Sequence, residues 1–212
     1  MEKTSINPHN TIILFDIHGV ILKVDYKQFL RLLWHTKGKL RFIFNLLKPK
    51  AFIVVLQMLI KHSTPERYIM KLASVNPHLK EYVPLCIELC NAQKPIPATC
   101  SLIEQLKERG YTLHILSNIG EQTYEQLQPR FPDIFNQFDA ARVASAKDNY
   151  TSKPSTKFFN DYLKNYNPTK KTVLFIDNNK TNIHVAQSLS MKTILYKSTP
   201  KLKDDLILLK AL

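Results

Sequence analysis

Short apolar runs that end in polar residues are the feature that most narrows what this chain can fold into. TIILFD (11–16), YTLHIL (111–116), TVLFID (172–177) and KTILY (192–196) each have the length of a strand. They largely lack the alternation of a half-exposed sheet, so they read as strands buried on both faces. A weaker run lies near 139–144. Helical patterns stand between them: SLIEQLKERG (101–110), with Gly110 as a stop signal, and NIHVAQSLSM (182–191). Buried strands alternating with helices indicate an α/β fold, a three-layer Rossmann-like core around a parallel sheet.

Residues 23–93 interrupt that alternation. They are helical in pattern, rich in Leu, Ile, Phe and Lys, and Pro95 and Pro97 punctuate the return to the sheet. The expected organisation is a core built from 1–22 and 94–212 with an all-helical insert at 23–93, placed after the first strand. Residues 23–80 hold twelve Lys or Arg against Asp25 and Glu66 alone, so most of the net charge of +13 sits there. Such a field draws anions: a phosphorylated substrate, an acidic membrane surface or nucleic acid. The absence of an aromatic-basic ribonucleoprotein signature or zinc-finger spacing argues against nucleic acid. AFIVVLQMLI (51–60), after LRFIFNLLKPK, is too short to cross a bilayer, which needs about 20 apolar residues. Two helices around their own small core are preferred to an interfacial anchor, so membrane association is not the favoured reading.

Three cysteines without framework spacing, and no charged-then-apolar leader, fit a reducing, cytoplasmic setting. Cys86 and Cys90 stand one helical turn apart, but no second pair or neighbouring histidine completes four ligands, so they read as buried thiols.

In parallel sheets the ligand site forms at the carboxyl ends of the strands. Three such ends carry polar residues: Asp16, Ser117 with Asn118, and Asp177 with Asn178. One polar residue after a buried strand is ordinary loop chemistry. Three at one edge make a candidate site.

With these residues placed, the chain resembles the haloacid dehalogenase (HAD) superfamily, whose members are mostly phosphatases. FDIHGV (15–20) is similar to the family's nucleophile motif, HILSN (114–118) to its second motif, SKPSTKFF (152–159) to its third and VLFIDNNKTNI (173–183) to its fourth. The motifs occur in the family's order, and the insert corresponds by position to a type 1 helical cap. The resemblance implies a hydrolase in which Asp16 is the nucleophile, forming an aspartyl phosphate. Ser117, Asn118 and Lys153 would bind the phosphoryl group, Lys153 also serving in catalysis. Mg²⁺ would be held by Asp16, the backbone carbonyl of His18, Asp177 and Asn178.

Two positions depart from the family pattern. His18 stands where phosphatases place an acid for the leaving group, and Asn178 stands where a second carboxylate is usual. Weaker Mg²⁺ binding is the expected consequence, since an amide oxygen is a poorer ligand than a carboxylate. Three readings remain. In the first, a phosphatase acts on a small anionic phosphomonoester and His18 replaces the missing acid. In the second, a 2-haloacid dehalogenase-like hydrolase works without metal, with Arg31 or Arg41 as its cap arginine. In the third, catalysis is weakened and the fold serves as a binding protein with a basic cap. Oligomeric state is not readable from the sequence.

Overall fold

The computed structural model describes residues 5–60 and 64–212, without the side chain of Leu59. Lys61, one of the basic residues counted above, and the first four residues of the chain lie outside the described residues.

Five parallel strands form the central sheet: β1 (Thr11–Phe15), β4 (Thr112–Gly120), β5 (Ala140–Ala144), β6 (Thr172–Asp177) and β7 (Lys192–Leu195), in the order β5-β4-β1-β6-β7. The chain adds strands first on one side of β1 and then on the other, so the order reverses at β1. Crevices for ligands open at such a reversal. The register puts Phe15 level with Ile115 on one side and Ile176 on the other. The next residues, Asp16, Leu116 and Asp177, therefore come out together at one edge. All five β1 residues are buried, as a strand covered on both faces requires.

Alternate strand residues feed two cores. Ile13, Phe15, Leu113, Ile115, Leu174 and Ile176 pack with Leu102, Ile103 and Leu106 of α6 (Pro97–Glu108) and with Leu202 and Leu206 of α11 (Thr199–Leu208). On the opposite face Leu14, Leu116, Val173 and Phe175 meet Phe158, Phe159 and Tyr162 of α9 (Thr156–Tyr166) and Ile183 and Ala186 of α10 (Lys180–Ser188). This is the three-layer α/β arrangement read from the sequence. Gly110 ends the turn after α6 at φ +82°, a conformation that favours glycine. The weak run near 139–144 is the edge strand β5, whose first four residues are only partly buried.

His114 on β4 is buried, its Nδ1 2.9 Å from the Tyr162 hydroxyl. Burial holds its imidazole below the ordinary value, against an opposing pull from Asp139. The unfolded chain therefore takes up this proton first as pH falls, and stability is lost from about pH 6.5 downward. Chemical denaturation at a series of pH values should show a wild-type slope that His114→Gln lacks. The difference should reach at most about 1.4 kcal/mol per pH unit.

Between β2 (Leu22–Val24) and β3 (Gln93–Pro95) the described residues form only helices and turns: α1 (Tyr26–His35), α2 (Lys39–Leu46), α3 (Pro49–Ile60), α4 (Pro65–Val75) and α5 (Val83–Cys90). Asp25 caps α1 by accepting the N–H groups of Lys27 and Gln28. Phe42, Ala51, Val54, Tyr68, Leu72, Leu79 and Tyr82 make a core of their own for these helices. The sequence reading anticipated such a core but not the β2–β3 pairing, an antiparallel ribbon in which Leu22 faces Pro95 and Val24 faces Gln93. Prolines argue against interior strands, and here Pro95 sits in a ribbon with one neighbour, where a missing N–H is tolerated.

The insert is fastened to the sheet layer at its far side as well. Glu66, buried at the start of α4, accepts the N–H (2.8 Å) and hydroxyl (2.6 Å) of Thr123 on α7 (Glu121–Leu127). Asn91 bonds Gln126 and Arg130, which follows α7. Gly120 leaves room for the Glu66 carboxylate, which a Cβ would meet at 1.9 Å. The short helix α8 (Pro132–Phe135) leads into β5.

Candidate active site

Asp16 is the first residue past β1, and its N–H still donates to the carbonyl of Ile176 on β6 (2.9 Å). The carboxylate is held by three donors on one oxygen. Oδ1 accepts from the Ile17 N–H (2.8 Å), the Ser117 hydroxyl (2.9 Å) and the Lys153 ammonium (3.0 Å). Ser117 reaches Asp16 because β4 lies beside β1 and carries it one step past the paired register.

Lys153 is 1% exposed, and its ammonium is fully partnered by Asp16, by Asp177 Oδ2 (2.7 Å) and by the Leu116 carbonyl (2.7 Å). Asp177 closes β6 at 0% exposure. Its Oδ1 accepts the Asn179 N–H (2.7 Å), and its Oδ2 accepts both Lys153 and the Asn182 amide (3.0 Å). One cation thus sits between two buried carboxylates. Burial, aided by the repulsion of Asp177, raises the Asp16 carboxyl above its ordinary range against the opposing pull of Lys153. The Lys153 ammonium is also raised: burial acts to lower it, and the two carboxylates outweigh burial.

The Asn118 side chain accepts the Lys153 N–H (2.7 Å) and donates to the Lys153 carbonyl (2.8 Å), pinning the segment that delivers the lysine. His18 is exposed, and its Nδ1 lies 3.3 Å from Gln93 Oε1. Gln93 donates its own amide to the Cys90 carbonyl (2.8 Å), which turns Oε1 toward the histidine. This network assigns the proton to His18 Nδ1 and leaves Nε2 as the ring's acceptor. Gly19 follows at φ +80°, and Asn178 Nδ2 would lie 2.2 Å from a Cβ there. The His-Gly pair therefore serves a tight turn and the close approach of Asn178.

These groups line a cavity of about 570 Å³ between the sheet edge and the insert. Asp16, His18, Ser117, Asn118, Lys153 and Asn178 are among its polar residues, and Phe29, Pro65, Leu89 and Cys90 belong to the helical side. Asp177 is not on this wall. It stands behind Lys153 with both oxygens taken. Asn182 is on the wall, and its buried Oδ1 has no partner. Sequence reading missed Asn182 and Gln93. The signal for Asn182 was its place in the first turn of the helix after Asp177, whereas nothing local marks Gln93.

An unpartnered buried oxygen beside a carboxylate suits a hard, oxygen-seeking cation. Asp16, the His18 carbonyl, Asn178 and Asn182 are the oxygen donors available to one. Among the described residues no cluster of three His, Cys, Asp or Glu side chains forms a metal site, so the donor set is mostly neutral. Cys86 and Cys90 on α5 are free thiols, pushed up by burial to about 11 and about 12.

A family model described as haloacid dehalogenase-like hydrolase matches residues 49–196. No curated protein matches the sequence. Among solved structures, a predicted HAD-like family hydrolase from Porphyromonas gingivalis superposes with a TM-score of 0.61 at 20% identity, covering 92% of this chain and 97% of that one. A HAD family enzyme from Bacteroides thetaiotaomicron, in complex with magnesium and inorganic phosphate, gives 0.57 at 18% identity, covering 88% and 94%. An L-2-haloacid dehalogenase from Xanthobacter autotrophicus with chloropropionic acid covalently bound gives 0.59 at 15% identity, covering 95% and 83%. At these identities the likeness is one of fold.

Proposed function

The chain belongs to the haloacid dehalogenase-like hydrolases, and from that membership we propose that it hydrolyses a small phosphomonoester through an aspartyl phosphate on Asp16. The three donors gathered on one Asp16 oxygen carry this reading. They fix Oδ1, so the carboxylate is held in one orientation at the cavity wall, with Oδ2 as the nucleophile. In the first step a bond forms between Oδ2 and phosphorus while the bond from phosphorus to the alcohol oxygen breaks. Lys153, anchored by Asp177, keeps a positive charge beside the reacting carboxylate through both steps. Ser117 and Lys153 share their donors with the phosphoryl oxygens once the ester is bound. Asn118 positions Lys153 through its backbone.

His18 is the proton carrier in this proposal. As imidazolium it gives the Nε2 proton to the departing alkoxide, and the neutral ring then accepts a proton from the water that attacks phosphorus as the P–Oδ2 bond breaks, which restores the Asp16 carboxylate and releases inorganic phosphate. Gln93 holds the other nitrogen protonated in both states. Asp16, the His18 carbonyl, Asn178 and Asn182 would hold Mg²⁺, which when bound supplies positive charge against the phosphoryl oxygens. Asp177 is proposed as the lysine's anchor, its charge reaching an ion only from behind. With one carboxylate facing the cavity, Mg²⁺ is expected to bind weakly and to be needed in excess.

The dehalogenase reading draws less support. Arg41 is paired with Glu81 at 3.6 Å, and Arg31 lies in a separate groove with Leu32 and His35. Neither lines the cavity at Asp16. The test is hydrolysis of an aryl phosphate over a Mg²⁺ titration, with a chelator control and with 2-chloropropionate as a parallel substrate. Turnover that rises with Mg²⁺ and stops in chelator is the expected result. Halide release in chelator would favour the dehalogenase, and no turnover of either compound at any Mg²⁺ concentration would leave the binding-protein reading.

A further inference from the structure

The outer face of the helical insert is apolar where a surface is normally polar. Among the described residues thirteen large hydrophobic side chains are exposed, and all but Ile207 and Leu208 lie between Tyr26 and Ile60. They are not scattered. On α1 the exposed residues are Tyr26, Leu30 and Trp34, spaced i, i+4, i+8 along one line of the helix. On α2 they are Leu40, Ile43, Phe44 and Leu47, an i, i+3, i+4, i+7 stripe. On α3 they are Phe52, Ile53, Leu56 and Ile60. The inward residues of α2 and α3, Phe42, Ala51 and Val54, already fill the insert's own core. Each of these two helices therefore carries a second apolar stripe that the fold does not use.

The charge around these stripes is predominantly positive, Glu81 beside Arg41 being an exception. No Asp or Glu occurs between Asp25 and Glu66, and Glu66 is buried against Thr123, whereas Lys27, Arg31, Lys39, Arg41, Lys48 and Lys50 are spread over α1–α3 and their joints. The cations are interleaved with the aromatic rings. Lys39 lies 4.0 Å from the centre of the Trp34 ring and donates to the Trp34 carbonyl (2.9 Å). Lys48 lies 5.9 Å from the Phe44 ring. Leucines flanked by Trp, Tyr and long cationic side chains match the layered chemistry of a lipid interface, where apolar groups enter the acyl boundary and ammonium groups stay with phosphate.

We propose that α1–α3 form a docking face for an anionic lipid surface, with the protein lying on the bilayer. Crossing it is excluded for these helices, since none among the described residues is long and apolar enough. A second copy of the chain fits poorly, because it would set the same cations against one another, and Glu81 is already paired with Arg41. The face adjoins the cavity: on α1, Phe29 lines the cavity beside Asp16 while its neighbour Leu30 is exposed. The proposal does not depend on the reaction assigned above.

Trp34 is the chain's only tryptophan, so it reports directly. The full-length protein is titrated with vesicles of equal parts phosphatidylcholine and phosphatidylglycerol, and with phosphatidylcholine alone. The expected result is a blue shift of Trp34 emission and co-flotation with the anionic vesicles, weakened by salt. A double variant, Phe44→Gln with Leu47→Gln, alters exposed positions outside the cavity and should keep the wild-type circular dichroism and Tm. Its partition onto anionic vesicles should fall at least about tenfold. Three results would overturn the proposal: no shift or flotation with anionic vesicles, equal binding to both lipids, or a variant that binds like the wild type. A dimer in sedimentation that shields Trp34 without lipid, or an acidic protein that occupies the face while vesicles do not, would also overturn it.

Discussion

Replacing Asp16 by Asn is expected to abolish turnover while leaving the fold as stable as before, or more so. The amide keeps an oxygen for the Ile17 N–H, Ser117 and Lys153, so the local network survives. It is no nucleophile, and kcat for an aryl phosphate should fall by at least about 10³-fold. The stability arm follows from the direction of the carboxyl shift. Burial, with repulsion from Asp177, raises the Asp16 carboxyl in the folded state, so its ionisation opposes folding at every pH above the ordinary carboxylate range. A neutral isostere removes that cost. Thermal unfolding at neutral pH should give a Tm equal to or above the wild type. A variant that kept turnover would dismiss Asp16 as nucleophile, and one that lost both turnover and several degrees of Tm would mark it as a structural ion-pair member.

Lys153→Met is expected to show the opposite balance. The ammonium is the only cation bonded to either Asp16 or Asp177 among the described residues. Removing it leaves two carboxylates buried side by side. Breaking one partner out of a buried ionic cluster costs about 3–5 kcal/mol, which for a chain of this size lowers Tm by roughly 6–20 °C. Activity should disappear with it. Pairing the change with Asp177→Asn removes the second stranded charge and should recover a large part of the lost stability without restoring turnover. Chemical denaturation of the single and double variants measures the coupling. A single variant within a degree or two of wild type would show that the lysine's three bonds contribute little to the fold.

The convergence of Asp16, Ser117 and Asp177 was legible because strand ends carry it, whereas Lys153 arrives on the loop between β5 and α9. Once β1, β4 and β6 are read as parallel neighbours, their final residues must meet. The contacts each group makes in the cluster were not legible. Asp177 gives Oδ2 to Lys153 and Asn182, and the Asn118 side chain meets the Lys153 peptide group. Both arrangements depend on contacts across loops, which a linear pattern does not encode. The β2–β3 ribbon was hidden for another reason: three residues are too few to show a period. The apolar stretch at 40–60 was legible as helices with a core of their own, but not which of its residues stay outside that core. A helix apolar on both sides looks like core, and only the packed arrangement separates the face that is filled from the face left outside.

The ribbon has one more consequence, for how such molecules diversify. Val24 and Gln93 face each other across it, so the polypeptide departs from the sheet layer and returns to it at almost the same point. Everything strung between those two residues hangs on this ribbon and on the Glu66–Thr123 contact at its far side, and the register of the five parallel strands involves none of it. A gene encoding this scaffold can lengthen, trim or exchange the stretches between those two anchors with little penalty to folding of the remainder. Selection for new substrates or new cellular addresses then acts on one contiguous stretch of codons while the chemistry at the strand tips is kept.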